Sequence, residues 1–205
     1  VRLVKIISTR YHGYVTFDHH HREPHLVLER IAGLFRAEQR RLAALVGLSV
    51  AQLEALHFLD RCNRYSDTPA GVAEYLGATK GTVSQSLAAL EQKDLITKLP
   101  DPHDGRLSHC QLTSEGRSLV KRTTPDLFGD VPPPSGPLVE VLRALQSAHN
   151  GRTFGQCASC RHLERGPTVT RCGLTGDPLT EDDVLRICRE HEDHGSTTAF
   201  ATLKR

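Results

Sequence analysis

Four cysteines fall within the last fifty residues of this chain: Cys157 and Cys160 in "GQCASCRHL", Cys172 in "TRCGL" and Cys188 in "RICREH". Two residues separate the first pair, eleven follow before Cys172, and fifteen more before Cys188. Thiols this dense, among few large apolar side chains, point to a metal that closes a core the segment cannot close alone. The plain expectation is a zinc ion held by four thiolates, tetrahedral, closed and structural. The alternative is an iron–sulfur cluster, because only one CxxC knuckle is present and the wide spacing of the last two ligands suits a larger footprint. Either centre leaves about two formal negative charges, which Arg161, Arg165, Arg171 and Arg186 could offset. His162 and His191 are spare imidazoles, read as solvent-facing or supporting groups while four thiols are at hand. Locally, Gly173 is expected to turn backbone N–H groups toward sulfur. "TEDDVLRICREH" reads as one helix, capped by Thr180, with Cys188 in its last turn.

The elements that must carry this module lie upstream. The chain has 205 residues, 38% hydrophobic, with no Trp and a formal charge of +2. Its core should therefore be built from Leu, Val and Ala, and any basic surface must come from local arrangement. No apolar run is long enough to span a membrane. The opening "VRLVKIISTRYHGY" lacks the apolar stretch and cleavage site of a signal peptide, so a cytoplasmic protein with reduced thiols is expected. Residues 1–23, with their "DHHHREP", show no period and read as a disordered arm. Three adjacent His could bind metal weakly, but a solvated tail is the simpler reading.

From Pro24 the pattern becomes helical, with Leu28, Ile31, Phe35, Leu42 and Leu45 on one stripe and Gly47 as the stop. Ser49 and Gln52 form a capping box ahead of a second helix, with Cys62 near its end as a small buried thiol. "TPAGVAEYLGATKGTVSQSLAALEQKDLI" then reads as helix, tight turn, helix. Thr68 caps the first with Pro69 at its opening position, and Thr79 caps the second. Val83, Leu87 and Leu90 form an apolar stripe that leaves Lys80, Thr82, Ser84 and Gln85 outward. "LITKLP" and "RLSHCQL" flank the turn "DPHDG" as a hairpin. Thr113 caps a further helix, "PDLFGDVPPPSGP" breaks the chain, and "PLVEVLRALQSAH" is one more amphipathic helix with Leu138, Val141, Leu142 and Leu145 on a face. No internal repeat is present.

The two stretches "GVAEYLGATKGTVSQSLAALEQKDLI" and "DPHDGRLSHCQLTSEG", in this order, resemble the MarR family of winged-helix regulators. The resemblance covers residues 24–149. It implies a mainly α fold with a small β-wing: a winged helix-turn-helix dimer plus the four-cysteine metal module. The divisions that follow are an arm at 1–23, a winged helix-turn-helix domain with its N-terminal dimerisation helix at 24–124, a connector at 125–136, a C-terminal dimerisation helix at 137–150, the cysteine module at 151–195 and a tail at 196–205.

The resemblance further implies a homodimer on a pseudo-palindromic double-stranded DNA operator, acting as a transcriptional repressor, with a small-molecule effector in the crevice between dimer and DNA lobes. The recognition helix would start at Thr79 and set Lys80, Thr82, Ser84 and Gln85 toward bases or phosphates. Arg106 would enter the minor groove with Asp104 steadying its guanidinium. The bland alternative for the two is a surface ion pair of little weight. Between Asp60 and Arg122 nine basic residues meet eight acidic ones, so specificity should rest on dimer geometry, with His103 giving the wing a pH-dependent charge. A cluster would make the tail a sensor whose loss changes the angle between DNA lobes. A zinc clip on a winged helix that docks a protein partner remains the alternative class. No enzyme is expected: there is no phosphate-binding Gly loop, nucleophile elbow or HExxH.

Overall fold

The computed structural model describes residues 24–102, 104–125, 128–129, 135–148 and 153–194. The arm, the tail, His103 and most of the connector lie outside the described residues. The chain divides into two units, Val1–Glu38 and Gln39–Arg205. The described part of the first is the start of helix α1 (Pro24–Leu45), on which Leu26, Val27, Ile31 and Phe35 are exposed. Everything that follows belongs to the second unit.

Local capping chemistry sets the helix starts. Helix α2 (Val50–Arg61) opens on the expected box: the Ser49 hydroxyl accepts from the Gln52 backbone N–H, and the Gln52 side chain accepts from the Ser49 N–H. Helix α3 (Pro69–Leu76) is capped by Thr68 and stops at Gly77, whose φ of 61° is open to glycine at little cost. Helix α4 (Lys80–Gln92) is capped by Thr79 through the Thr82 N–H. Asp94 then takes a left-handed turn, φ 55°, and the chain enters the hairpin of β1 (Ile96–Pro100) and β2 (Ser108–Leu112). The strands pair antiparallel from Ile96↔Leu112 to Pro100↔Ser108. Helix α5 (Ser114–Thr123), capped by Thr113, returns to the core.

That core is the expected aliphatic one: Leu53, Leu56, Phe58, Val72, Leu87, Leu90 and Ile96 are almost fully buried. His57 of α2 reaches Thr123 of α5 at 3.1 Å, and the Thr123 hydroxyl donates to the Leu119 carbonyl. Burial lowers the His57 pKa, so the ring is neutral and donates from Nε2. Helix α6 (Ser135–Ala148) starts two residues earlier than expected, inside the connector. Pro137 sits in its first turn, where the missing N–H has no intrahelical partner to lose.

The C-terminal segment departs most from expectation. It contains two small sheets: β3 (Gly155–Gln156) pairs with β7 (Ile187–Cys188), and β4 (Leu163–Arg165), β5 (Thr170–Cys172) and β6 (Pro178–Leu179) form the second. Helix α7 is only Glu181–Leu185, with Thr180 and Asp183 as a capping box. Cys188 is therefore on a strand, not in the last turn of a helix. The reason is tertiary: the Ile187 carbonyl accepts the Asn63 N–H at 2.9 Å, and the Arg186 guanidinium donates to the Asp60 carbonyl at 3.0 Å. Gly173 also differs, since its N–H goes to the His162 carbonyl at 2.7 Å rather than to sulfur.

Gly116 is the tightest backbone approach of the winged helix, because a Cβ there would run into the Leu95 carbonyl oxygen. Gly116→Ala is expected to cost roughly 1–3 kcal/mol through overpacking, while Gly105→Ala, which meets open space, should be near neutral. Urea unfolding midpoints of the two variants check this.

Candidate nucleic-acid interface and thiol cavity

Helix α4 buries Val83, Leu87 and Leu90 and exposes Lys80, Thr82, Ser84 and Gln85. The Thr79 and Thr82 hydroxyls share a hydrogen bond of 2.9 Å, which steadies the first turn. This end carries exposed N–H groups and the positive end of the helix dipole, a favourable place for an anion. Several other cations of the domain are committed elsewhere: Lys98 to Glu91 at 2.9 Å, Arg122 to Glu115 at 3.1 Å, and Lys93 to the Gly47 carbonyl at 3.3 Å. Among the described residues, Lys80 and Arg106 have no ion-pair partner.

At the hairpin tip the expected Asp104–Arg106 pair has a different form. The Asp104 carboxylate accepts the Arg106 backbone N–H at 3.0 Å, and the Asp104 N–H donates to the Asp101 carboxylate at 2.8 Å. Asp104 therefore shapes the turn, and among the described residues no bond holds the guanidinium. A carboxylate two residues before a backbone N–H closes a local ring more readily than it reaches around to a long side chain.

The base of the wing is held by a buried-edge trio. His109 of β2 lies 2.5 Å from Asp67 and 2.9 Å from Asp101, one carboxylate at each ring nitrogen. The Asp101 and Asp67 hydrogen bonds raise the His109 pKa, and burial raises that of Asp67 despite the imidazole beside it. Both shifts keep a proton in the trio, and we assign it to the imidazole because both its nitrogens are bonded. The Asp67 carbonyl also accepts the Cys110 N–H at 2.6 Å.

Behind the wing lies a cavity of about 620 Å³. Cys157, Cys160, Cys172 and Cys188 all line it, and the opposite wall includes Leu107, His109 and Gln111 of the wing. The four predicted ligands are thus brought to one place, three of them buried and Cys172 half-buried. Among the described residues, however, no three His, Cys, Asp or Glu side chains meet in a group that could hold a metal ion. Cys157 and Cys188 share a hydrogen bond that pushes the Cys157 thiol up and brings Cys188 down, so the pair holds one proton tightly and gives up the other easily. Cys62 and Cys110 are core residues, pushed up to about 12 and about 11 by burial.

His191 is buried, with Thr153 at Nδ1 (2.7 Å) and Ser159 at Nε2 (3.0 Å). Both ring nitrogens are committed and neither is free to ligate. Gly155 is required beside it, since a Cβ would lie 2.5 Å from the ring. His162 lines the cavity; its buried Nε2 makes no hydrogen bond among the described residues, and the Glu192 carboxylate lies 3.5 Å from it.

Sequence reasoning missed Asn63. Its amide donates to the Cys157 sulfur at 3.9 Å and also reaches the Cys188 sulfur. Its carbonyl oxygen accepts from the Tyr65 N–H (3.2 Å) and the Ser66 hydroxyl (2.8 Å). Further bonds dock the module on this loop: Arg189 N–H to the Ser66 hydroxyl at 2.8 Å, Tyr65 hydroxyl to Asp177 at 2.5 Å, and Arg189 to Glu74 at 2.5 Å. Phe154, held at φ 44°, packs its ring edge-on against Phe58 and Tyr75. The module is therefore seated on α2, α3 and the loop between them, and Arg143 of α6 also reaches its Asp193 at 3.3 Å.

A sequence model of the MarR family matches residues 46–107, from the end of α1 through the wing tip. This segment is similar to the MarR family. The HTH-type transcriptional regulator YxaD of Bacillus subtilis strain 168, itself uncharacterized, is 43% identical over 56 residues, which are 26% of this chain and 39% of that protein. The chain thus spans about two fifths of that curated relative. Among solved structures, the MarR-family transcriptional regulator from Silicibacter pomeroyi superposes with a TM-score of 0.50 at 23% identity, covering 62% of this chain and 89% of that one. The S. aureus MepR–DNA complex gives 0.41 at 24% identity, covering 60% and 98%. The matched fold is the winged helix-turn-helix, with α3 and α4 as its two helices and β1–β2 as its wing. These matches cover the winged-helix part of the chain. No single described helix is long and apolar enough to cross a membrane.

The His109 trio predicts a pH dependence. A raised folded-state pKa stabilises fully below the unfolded value near ~6.5 and is lost as pH rises through the folded value. The raised Asp67 has the same sign, since ionising it becomes costly. Stability should fall above about pH 6.5, by no more than about 1 kcal/mol for a solvent-reachable pair, lowering the melting temperature, and His109→Gln should flatten the curve. Thermal melts from pH 6 to pH 9 read it out.

Proposed function

We propose that the protein is a sequence-specific DNA-binding transcriptional repressor that acts in the cytoplasm as a homodimer on a pseudo-palindromic operator. The observation that carries this is the free polar edge of α4: Lys80, Thr82, Ser84 and Gln85 exposed at a capped helix start, within a family-matched domain and beside a wing tip presenting Arg106. Lys80 and the helix start bind phosphate, Gln85 and the hydroxyls read base edges, and Arg106 enters the minor groove. The exposed apolar residues of α6, among them Leu138, Val141 and Leu142, support a dimer face, as do those at the start of α1. A small-molecule effector acts on the same equilibrium. Cys157, Cys160, Cys172 and Cys188 hold a metal centre, zinc or an iron–sulfur cluster, that leaves no open position for catalysis.

The test is a fluorescence-anisotropy titration of the duplex upstream of the protein's own gene, across salt concentrations. Lys80→Ala should weaken binding and reduce the salt slope by about 1, as the loss of one phosphate contact does. Gln85→Ala should cost about 1–3 kcal/mol on the best duplex and little on scrambled DNA. Equal binding to scrambled and upstream duplexes would defeat the proposal.

A further inference from the structure

The tip of the wing has little apolar hold on the rest of the domain. From Pro102 to Leu107 every described residue is exposed, and Leu107 itself is 48% exposed. What ties the tip down is a run of polar bonds. The Arg106 backbone N–H donates to the Asp104 carboxylate, and the Asp104 N–H donates to the Asp101 carboxylate at 2.8 Å. The other oxygen of Asp101 meets His109 Nε2 at 2.9 Å, and His109 Nδ1 meets the Asp67 carboxylate. Asp67 is buried on the loop between α2 and α3, where its carbonyl also accepts the Cys110 N–H. The imidazole is therefore the link between the core loop and the root of the tip.

We propose that His109 is a positioning residue for Arg106: its imidazolium bridges Asp101 to Asp67, holds the wing tip in place for DNA, and releases it when the ring loses its proton. This rests on the DNA-binding reading above. A neutral imidazole has one N–H, so one carboxylate keeps a donor and the other faces a lone pair. Asp67 is the more buried of the two, and water replaces its bond less readily. Asp67 thus keeps the N–H, Asp101 lets go, and the proton passes to solvent. Both carboxylate bonds, that of Asp101 first, raise the His109 pKa above its ordinary value. The brace is complete below the folded-state value and is lost as pH rises through it. Other charged groups around the ring do not replace it. Lys98 and Cys110, one position along each strand, point to the opposite face. Arg64, Tyr65, His162, Glu190 and the four thiols line the same cavity. Among them, Arg64 is committed to the Tyr65 hydroxyl, the Pro178 carbonyl and Asp177.

The full chain is titrated from pH 6 to pH 9 at fixed ionic strength. NMR follows the His109 ring and the Asp101 carboxyl, and anisotropy measures binding of the upstream duplex at each pH. All forms carry His103→Gln, which removes the other imidazole of the tip. The Asp101 resonance should shift at the His109 midpoint. Affinity should fall about fivefold through that midpoint, the low end of the usual coupling between sites, and bound duplex should move the midpoint upward by the reciprocal effect. His109→Gln should bind weakly and equally at both ends of the range. Asp101→Asn discriminates most sharply. Its amide oxygen still accepts the Asp104 N–H while its NH2 donates to the neutral Nε2, so the tip stays braced without the proton. It should bind at pH 9 as tightly as its parent does at pH 6. A parent whose affinity does not follow His109, or an Asp101→Asn form that weakens with pH as its parent does, overturns the proposal. If no form binds the duplex at any pH, the DNA-binding reading fails. An Asp101 resonance that ignores the His109 titration overturns the brace on its own. The parent and Asp101→Asn carry the test if His109→Gln does not fold.

Discussion

The buried amide of Asn63 is the point on which the two halves of this chain depend. Its nitrogen faces the sulfur of Cys157, its oxygen takes two donors from its own loop, and its backbone N–H goes to Ile187. A buried group of this kind adds only about 1 kcal/mol per hydrogen bond when satisfied, but leaving its partners unpaired costs more. The geometry is consequently specified by what would be stranded if it changed. The loop between α2 and α3 cannot move without exposing or orphaning groups in the cysteine module.

From that loop the constraint spreads in two directions. Toward the C-terminus, Ser66, Tyr65 and Arg64 receive strands that have little core of their own: among the described residues, Cys157, Val184 and Cys188 are buried together, with Leu163 against them. Such a segment borrows stability from the aliphatic core of α2–α5, through the Phe154 ring and the Ile187 bridge. Toward the wing, Asp67 holds Cys110 and His109. The wing is thus a short hairpin whose base joins the core through Ile96, Cys110 and Leu112 and is held there by charge and hydrogen bonding as well. That suits an element with Leu99 and Leu107 exposed. The helix that presents Lys80 and Gln85 is fixed by a buried Val83–Leu87–Leu90 stripe.

The sequence by itself determined the helix starts, the apolar stripes, the hairpin and the outward edge of α4, because each is written in residues three or four apart: Ser49 with Gln52, Thr68 with Gly71, Thr79 with Thr82, Thr113 with Gly116. It also marked all four cysteines as one set. The form of the Asp104–Arg106 turn, the strand that carries Cys188, the shortness of α7 and the seat of the module were decided by tertiary structure. The partners involved are distant in the chain. Ser66 meets Arg189 across 123 positions and Asn63 meets Cys157 across 94, and no local pattern encodes such pairs. Propensity favoured a helix running through Cys188. The carbonyl of Ile187 found a better-placed donor in Asn63, and a backbone bond to a buried loop outweighed one more turn of helix.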